Sequence, residues 1–262
     1  MRSPKNKFVA AIALSSVALL AMTACGSDSS SSSESSDSSF ELNKGKLTVC
    51  SDIPYEPFEF KEGDKIVGFD MDIAAEIAKD AKLDLDVLDD SFDSIESGLF
   101  NTRCDIAISS ISITDARKAK MNFSTPYMDD DLVLIARNDS GITDLETAKD
   151  KKVGVQQATT GEKYGKENGL ENLVGFEDAG LQTQALLANQ VDAVLGNQSV
   201  LGYAVKDKPD YRAVANFKTG EQLGVAVPKD KAETLDLVNG TLKRLTDAGT
   251  MEELTVKWFG EK

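Results

Sequence analysis

Strand-like and helix-like segments alternate along residues 47–109, and this alternation limits the fold more than any other feature. Short apolar runs at 47–51, 83–87 and 106–109 are separated by segments with helical periodicity at 69–81 and 92–101. Ile73, Ile77 and Ala81 recur every four residues and form an apolar helix face, with Asp70 or Asp72 available as its N-cap. Alternating strands and helices predict an α/β fold.

A weak internal repeat favours two lobes over one long sheet. The segment 96–108 resembles the segment 184–195, since each reads as a helix, a turn, an Asp and a buried strand. Apolar strands at 132–136 and 223–228 predict two crossings between lobes. We therefore expect lobe 1 to comprise residues 41–136 and 228–262, lobe 2 to comprise 137–227, and small ligands to bind in the cleft between them.

The N-terminus has the pattern of a secretion signal. A basic start precedes an apolar run over residues 8–24, which is shorter than a membrane-spanning helix needs. The run ends at Met22-Thr-Ala-Cys25-Gly26, which is similar to a bacterial lipobox and predicts lipidation of Cys25 after removal of residues 1–24; an ordinary signal peptide with an incidental Cys is the alternative. The Ser-rich stretch 25–40 reads as a tether. These features predict a protein anchored by lipid on the extracytoplasmic side of the cell membrane.

Composition excludes several classes of function. The net charge of −15 argues against nucleic-acid binding, and a chain without histidine argues against a zinc site. We expect no metal, no cofactor and a monomer. Cys50 falls late in one strand and Cys104 precedes another, so an offset of about four residues at about 3.3 Å each predicts two buried thiols and no disulfide.

Polar residues gather where predicted strands end. Ser110 and Ser112 follow one strand and precede Arg117, whose planar guanidinium suits a carboxylate, although an Arg in a first helical turn is often solvated. The same arrangement follows the strand at 153–156, where Gln156, Thr159 and Thr160 lead into a helix whose N-terminus suits an anion.

Three further candidates follow other strands. Asp52 and Tyr55 lie in a proline-stiffened turn, and Phe92 begins a helix. The two aromatic rings can flank the apolar part of a ligand, although single aromatic residues more often belong to the core. No Ser-His-Asp or Cys-His arrangement is present.

Over residues 45–260 the chain resembles the family 3 bacterial solute-binding proteins, the receptors for polar amino acids. The resemblance rests on the order of six motifs: Pro57-Phe-Glu-Phe60, Gly68-Phe-Asp-Met-Asp72-Ile, Ser112-Ile-Thr-Asp-Ala-Arg117, Phe123-Ser-Thr-Pro-Tyr127, Val153-Gly-Val-Gln156 and Lys257-Trp-Phe-Gly260. It implies a type II periplasmic-binding-protein-like fold, with two lobes joined by two hinge strands. It also implies a receptor that delivers an amino-acid-like ligand to the permease of an ABC importer.

The resemblance also implies roles for the candidate residues. Arg117 would hold the ligand's α-carboxylate with Ser112 and Thr160, and Ser110 and Ser112 would contact the α-ammonium group. Tyr55 and Phe92 would flank the side chain, and Asp52 and Gln156 would meet its polar end.

One position departs from the family pattern. The family places an acid where this chain has Asn197, and an amide cannot supply the charge that pairs with an ammonium group. Either another carboxylate such as Asp52 takes that role, or the ligand's nitrogen is substituted, shielded or absent, as in an opine or an ectoine-like solute. The competing classes are a cyclohexadienyl-dehydratase-like enzyme on the same scaffold and a sensory domain.

Overall fold

The computed structural model describes residues 42–260. The predicted signal peptide 1–24, Cys25 and the tether up to residue 40 lie outside that range. Within it, no helix combines the length and the apolar sequence that crossing a membrane requires.

The described residues form fourteen strands, nine α-helices and one short 3-10 helix. The strands are β1 (Lys46–Ser51), β2 (Phe60–Glu62), β3 (Lys65–Val67), β4 (Asp84–Asp89), β5 (Ile106–Ala107), β6 (Asn122–Phe123), β7 (Met128–Asp129), β8 (Leu132–Arg137), β9 (Lys152–Gln156), β10 (Asn172–Phe176), β11 (Ala193–Asn197), β12 (Tyr211–Phe217), β13 (Gln222–Leu223) and β14 (Ala226–Val227). The helices are α1 (Phe69–Ala81), α2 (Phe92–Ser97), α3 (Asp115–Lys118), α4 (Leu145–Ala148), α5 (Thr160–Glu167), α6 (Ala179–Leu187), α7 (Gln198–Val205), α8 (Ala232–Asp247) and α9 (Thr250–Phe259), and the 3-10 helix spans Leu99–Thr102.

Two mixed five-stranded sheets form the centres of the two lobes. The first has the order β4-β1-β5-β14-β6 and the second the order β10-β9-β11-β8-β12. In each, the first three strands are parallel and the last two run antiparallel to their neighbours. β5 and β11, the strands of the sequence repeat, occupy the same place in their sheets. The predicted two-lobed α/β fold is confirmed.

A short antiparallel pair, β7 with β13, joins the two sheets, and Met128 lies opposite Leu223 in it. Two strands lie on the other side of the predicted lobe boundaries. β8 pairs within the second sheet and β14 within the first, whereas the sequence placed β8 up to residue 136 in lobe 1 and all but the last residue of the 223–228 strand in lobe 2. Apolar runs mark buried strands but do not show which sheet they join. We propose lobe limits near residues 130 and 224.

Helix α1 has its predicted bounds but not its predicted cap. Its N-cap is Gly68, with φ of 143°, and no side chain caps the helix. A Cβ at this position would lie 1.9 Å from the carbonyl oxygen of Phe58, so only glycine fits. Asp70 lies inside the first turn, where its carboxylate accepts hydrogen bonds from the Ser110 backbone N–H and the Tyr127 hydroxyl.

Cys50 and Cys104 form a disulfide with Cα atoms 5.7 Å apart, so the prediction of two free thiols was wrong. That prediction assumed that the residues before β5 continue the strand in a straight line, which would carry Cys104 away from Cys50. Instead the chain bends at Asp105, whose backbone N–H donates to the carbonyl of Thr48 at 2.9 Å. The Asp105 carboxylate accepts from both the backbone N–H and the hydroxyl of Thr48. The bend places Cys104 in the same buried cluster as Cys50 instead of further along the strand.

Candidate ligand-binding site

The loop that follows β5 is held from behind by buried carboxyl groups. The backbone N–H of Ser110 donates to Asp70 at 2.7 Å, and Ser110 adopts a left-handed conformation with φ of 47°. The hydroxyl of the preceding Ser109 donates to Glu59 and accepts from the backbone N–H of Asp52 at 3.1 Å. These contacts connect β1, β5 and α1 at the carboxyl ends of the two strands.

Glu59 and Asp70 are both fully buried. Burial raises the pKa of Glu59 well above its usual range, with a further contribution from the charge of Asp70. Burial also raises the pKa of Asp70 to about 7, against the hydrogen bonds from Ser110 and Tyr127. From the sequence, Glu59 was quoted only within a family motif and Asp70 was also considered as a helix N-cap, so the role of both residues in fixing this loop was missed. The sequence did contain a signal for this role, because Asp70 lies within the first turn of a helix whose surrounding face is apolar.

Arg117 is buried at the first-lobe side of the cleft, with 3% of its surface exposed. Thr114 caps α3 by accepting the Arg117 backbone N–H at 3.2 Å. The guanidinium donates to the carbonyls of Ser112 at 2.9 Å and Ala158 at 3.1 Å, and it lies 5.0 Å from the ring centre of Phe92. Within residues 42–260 no carboxylate forms an ion pair with it. Arg117 is therefore a buried cation that can take an anion, not a solvated helix residue.

The second lobe supplies the end of β9 and the start of α5. Thr159 caps α5 by accepting the Glu162 backbone N–H, and its hydroxyl donates to the carbonyl of Gln156 at 2.7 Å. The Thr160 hydroxyl donates to the carboxylate of Glu221 at 2.7 Å. Thr160 thus bonds to the segment that returns to the first lobe.

Predicted site residues from both lobes meet directly. The Gln156 amide donates to the Asp52 carboxylate at 2.5 Å, and the Tyr55 hydroxyl donates to Asn197 Oδ1 at 3.3 Å. A small cavity of about 10 Å³ lies beside Tyr55, Gln156, Thr159 and Asn197, which is room for about one water molecule. The structure is therefore a closed arrangement of the two lobes without room for an amino acid between these residues, so the lobes must separate to admit a ligand.

Behind the loop, Glu59 Oε2 and Asp70 Oδ1 have no hydrogen-bond partner among the described residues, and neither do three buried polar atoms of the predicted ligand-binding residues. Those three atoms are the Ser110 hydroxyl, Gln156 Oε1 and Asn197 Nδ2. Leaving such a group unpaired costs about 1–3 kcal/mol, so native proteins generally satisfy them. All three belong to residues predicted to contact a ligand, and a polar ligand in the cleft can pair with the Ser110 hydroxyl and Gln156 Oε1.

Asp52 lies at a negatively charged end of the cleft. Burial raises its pKa to about 7, and the charges of Asp178, Asp89 and Glu177 raise it further, whereas the hydrogen bond from Gln156 lowers it. Across residues 42–260 no three His, Cys, Asp or Glu side chains converge on a possible metal position. The electrostatic environment of Asp52 favours a cation.

Residues 47–261 match the sequence model of the bacterial extracellular solute-binding proteins, family 3, and the chain belongs to that family. The predicted resemblance is thereby confirmed.

Individual relatives agree with this assignment. The arginine-binding extracellular protein ArtP of Bacillus subtilis is 34% identical over 248 residues, which cover 92% of this chain and 94% of ArtP. The L-cystine-binding protein TcyA of the same organism is 29% identical over 255 residues, covering 94% of each chain. The structure of the amino acid ABC transporter substrate-binding protein AbpA from Streptococcus pneumoniae, bound to L-arginine, has a TM-score of 0.77 at 32% identity and covers 84% of this chain and 98% of its own. These relatives are solute-binding proteins, and this chain is one too, not an enzyme.

Proposed function

We propose that this protein binds a cationic amino acid, with L-arginine as the leading candidate, and delivers it to an ABC importer. The observation that carries the proposal is the pair of buried, oppositely charged groups in one cleft, Arg117 and Asp52, neither of which has an ion-pair partner among the described residues.

Arg117 supports recognition of the α-carboxylate. Both hydrogen bonds of its guanidinium go to backbone carbonyls, and no carboxylate among the described residues forms an ion pair with it. Burial lowers its pKa, which reflects the cost of holding a cation out of water. A ligand carboxylate offsets that cost and can bond to the planar guanidinium in a bidentate manner.

Asp52 supports recognition of a positive side chain. Its carboxylate is surrounded by the negative charges of Asp89, Glu177 and Asp178, contributed by both lobes. Closing the lobes around these acids is unfavourable unless a cation lies among them. A guanidinium or ammonium group reaching Asp52 and the free oxygen of Gln156 meets both requirements.

The relatives support the same ligand class. ArtP is an arginine-binding protein, and the AbpA structure contains L-arginine. TcyA binds L-cystine, so L-cystine is the relevant competing ligand.

The proposal includes attachment to the membrane through a lipid on Cys25. It rests on the lipobox-like segment 22–26 and the Ser-rich stretch 25–40. In a bacterial host, the wild-type protein should fractionate with the membrane and the Cys25→Ala variant should not. Membrane association of that variant would contradict lipidation at Cys25.

A thermal-shift panel tests the ligand class. We expect L-arginine and L-lysine to stabilise the purified protein, by about 2.7 kcal/mol at a hundredfold excess over the dissociation constant. L-Glutamine and L-cystine serve as neutral comparisons. Stabilisation by L-cystine alone, or by no amino acid, would contradict the proposal.

A further inference from the structure

Asp130 is an acid that the sequence analysis did not assign to the site. It lies between β7 and β8, where the chain enters the second sheet, and 5% of its surface is exposed. Its backbone N–H donates to the carbonyl of Glu221 at 3.0 Å. Its carboxylate accepts the backbone N–H of Ser199 at 3.1 Å and the Ser199 hydroxyl, both in the first turn of α7. Asp130 is thus fixed both to the inter-lobe connection and to the second lobe.

The amide of Asn197 lies between Asp130 and the cleft. In the antiparallel pairing of β11 with β8, Asn197 is opposite Leu132, two residues from Asp130. Asn197 Oδ1 accepts the hydroxyl of Tyr55 inside the cleft. Burial raises the pKa of Asp130 to about 6, while Ser199 and Asn197 act in the opposite direction. Asn197 therefore touches the cleft on one side and is next to a buried carboxylate on the other.

We propose that Asp130 supplies the negative charge that offsets the α-ammonium group of the ligand. It does so without touching the ligand, because the Asn197 side chain lies between Asp130 and the cleft. The inference rests on the proposed function, since it requires an amino-acid ligand with a free ammonium group. Asp130 is a positioning residue here. It orients and polarises the Asn197 amide so that the amide oxygen faces the ammonium group.

The charge balance of the cleft agrees with this role. Arg117 contributes one positive charge, and Asp52 and Asp130 contribute two negative charges when ionised. A zwitterionic amino acid with a cationic side chain carries a net charge of plus one, so it balances the charges of these three buried groups, while Glu221, Asp89, Glu177 and Asp178 add negative charge around them. A neutral amino acid leaves one buried negative charge without a counter-charge, which is unfavourable.

Few other titratable groups face Asp130. Glu221 raises the pKa of Asp130 by its charge, and it is bonded to the Thr160 hydroxyl. Tyr55 and Tyr127 have pKa values raised well above the usual range, mainly by burial, so both stay neutral. Asp70, whose pKa is raised to about 7, bonds to the backbone N–H of Ser110 in the same subsite, so a pH effect is assigned to Asp130 when it occurs near pH 6 and Asp130→Asn removes it.

The test uses two ligands that differ only at the ammonium group: L-arginine and its des-amino analogue, which keeps the carboxylate and the guanidinium. Calorimetric titration gives dissociation constants for the wild type, Asp130→Asn and the control Asp129→Asn. Asp129 is exposed and neighbours Asp130, so its substitution removes the same charge outside the cleft. We expect Asp130→Asn to weaken L-arginine binding about tenfold or more and the analogue by less than about twofold. Asp129→Asn should change neither.

A rescue variant tests where the charge is needed, and a measurement on the wild type covers the case in which Asp130→Asn folds poorly. Combining Asp130→Asn with Asn197→Asp moves the carboxylate to the cleft and should restore the preference for L-arginine over the analogue. In the wild type, that preference should fall as pH decreases through about 6, because Asp130 becomes protonated. The ratio of the two ligands cancels effects at the guanidinium end, which they share.

The outcomes separate the two proposals. Equal weakening of both ligands by Asp130→Asn, or a wild-type preference that does not change with pH, would overturn the role of Asp130 while leaving the proposed function standing. Binding of neither ligand by the wild type would overturn both proposals.

Discussion

The Gln156 side-chain amide in the second lobe donates a hydrogen bond of 2.5 Å to the Asp52 carboxylate in the first lobe. The contact fixes Asp52 and leaves Gln156 Oε1 buried and without a partner in the described chain. A cationic group beside this pair can donate to both Gln156 Oε1 and the Asp52 carboxylate. This pair therefore connects lobe closure with the chemistry of the ligand's distal end.

Asp52→Asn should remove the preference for a cationic side chain. An asparagine keeps an oxygen that accepts from Gln156 but lacks the negative charge. We expect L-arginine to bind about 30-fold or more weakly, as for other buried charge pairs that lose one partner. L-Citrulline, the neutral isostere, should bind as well as before or better. Calorimetric titration measures both, and an equal loss for the two ligands would argue against a charge-specific role.

L-Arginine affinity should depend on pH through Asp52. The unliganded pKa of this carboxyl is raised to about 7 by burial, and pairing with a guanidinium lowers it. Binding is then strongest above pH 7 and weakens as pH falls, by up to about tenfold per pH unit, because the carboxyl must first lose its proton. The ratio of L-arginine to L-citrulline affinity isolates this effect. A ratio that rises on acidification would contradict it.

The same raised pKa predicts a change in stability. Asp52 favours its protonated form in the unliganded fold, so its ionisation destabilises the native state as pH rises from about 4 to about 7. Asp52→Asn should therefore stabilise the unliganded protein at pH 8, by about 2–4 kcal/mol, and have a much smaller effect near pH 4. Urea denaturation at the two pH values measures this difference. A variant that is less stable than the wild type at pH 8 would contradict the account.

Arg117→Lys should weaken ligands that carry an α-carboxylate. Lysine keeps the charge but loses the planar, bidentate geometry and the contact with the Phe92 ring. We expect about 10- to 100-fold weaker L-arginine binding, which corresponds to about 1.4–2.8 kcal/mol. Agmatine, which lacks the carboxylate, should be unaffected by the substitution. Arg137→Lys is the matched control, because Arg137 pairs with exposed Asp139 away from the cleft. Equal effects of the two substitutions would contradict a specific role for Arg117.

Removing the Cys50–Cys104 disulfide should lower stability more than it lowers affinity. The bond closes a loop with a sequence separation of 54, for which chain entropy predicts a contribution of about 4 kcal/mol. The double substitution to alanine and chemical reduction should both shift the urea midpoint downwards. L-Arginine should still bind at low temperature, since neither cysteine lines the cleft cavity. An unchanged midpoint would show that the disulfide does not form in solution.

The sequence predicted the fold because strand and helix periodicities leave few alternatives. It also predicted that Arg117 and Gln156 lie at one cleft, because polar residues at the carboxyl ends of buried strands converge there. Asn197 was singled out by the family resemblance, and ligand binding at all three residues stays a prediction. The sequence did not identify Asp130. In the sequence that residue is the middle of three consecutive acids and looks solvated, and only the pairing of β8 with β11 brings it beside Asn197.

The prediction of two free thiols and the prediction that β8 belongs to lobe 1 were wrong for a related reason. Both depend on where the chain bends or crosses, and neither the bend at Asp105 nor the β7–β13 pair has a distinctive local pattern. Periodicity predicts which side of a strand is buried. It does not predict the direction from which the chain enters that strand.

The most direct test of the central claim is a crystal structure of the protein with L-arginine. The account predicts that the ligand's carboxylate contacts Arg117, its guanidinium contacts Asp52 and Gln156 Oε1, and its ammonium group contacts the oxygen of Asn197. A ligand bound in the opposite orientation, or with its guanidinium directed into solvent away from Asp52, would contradict the account.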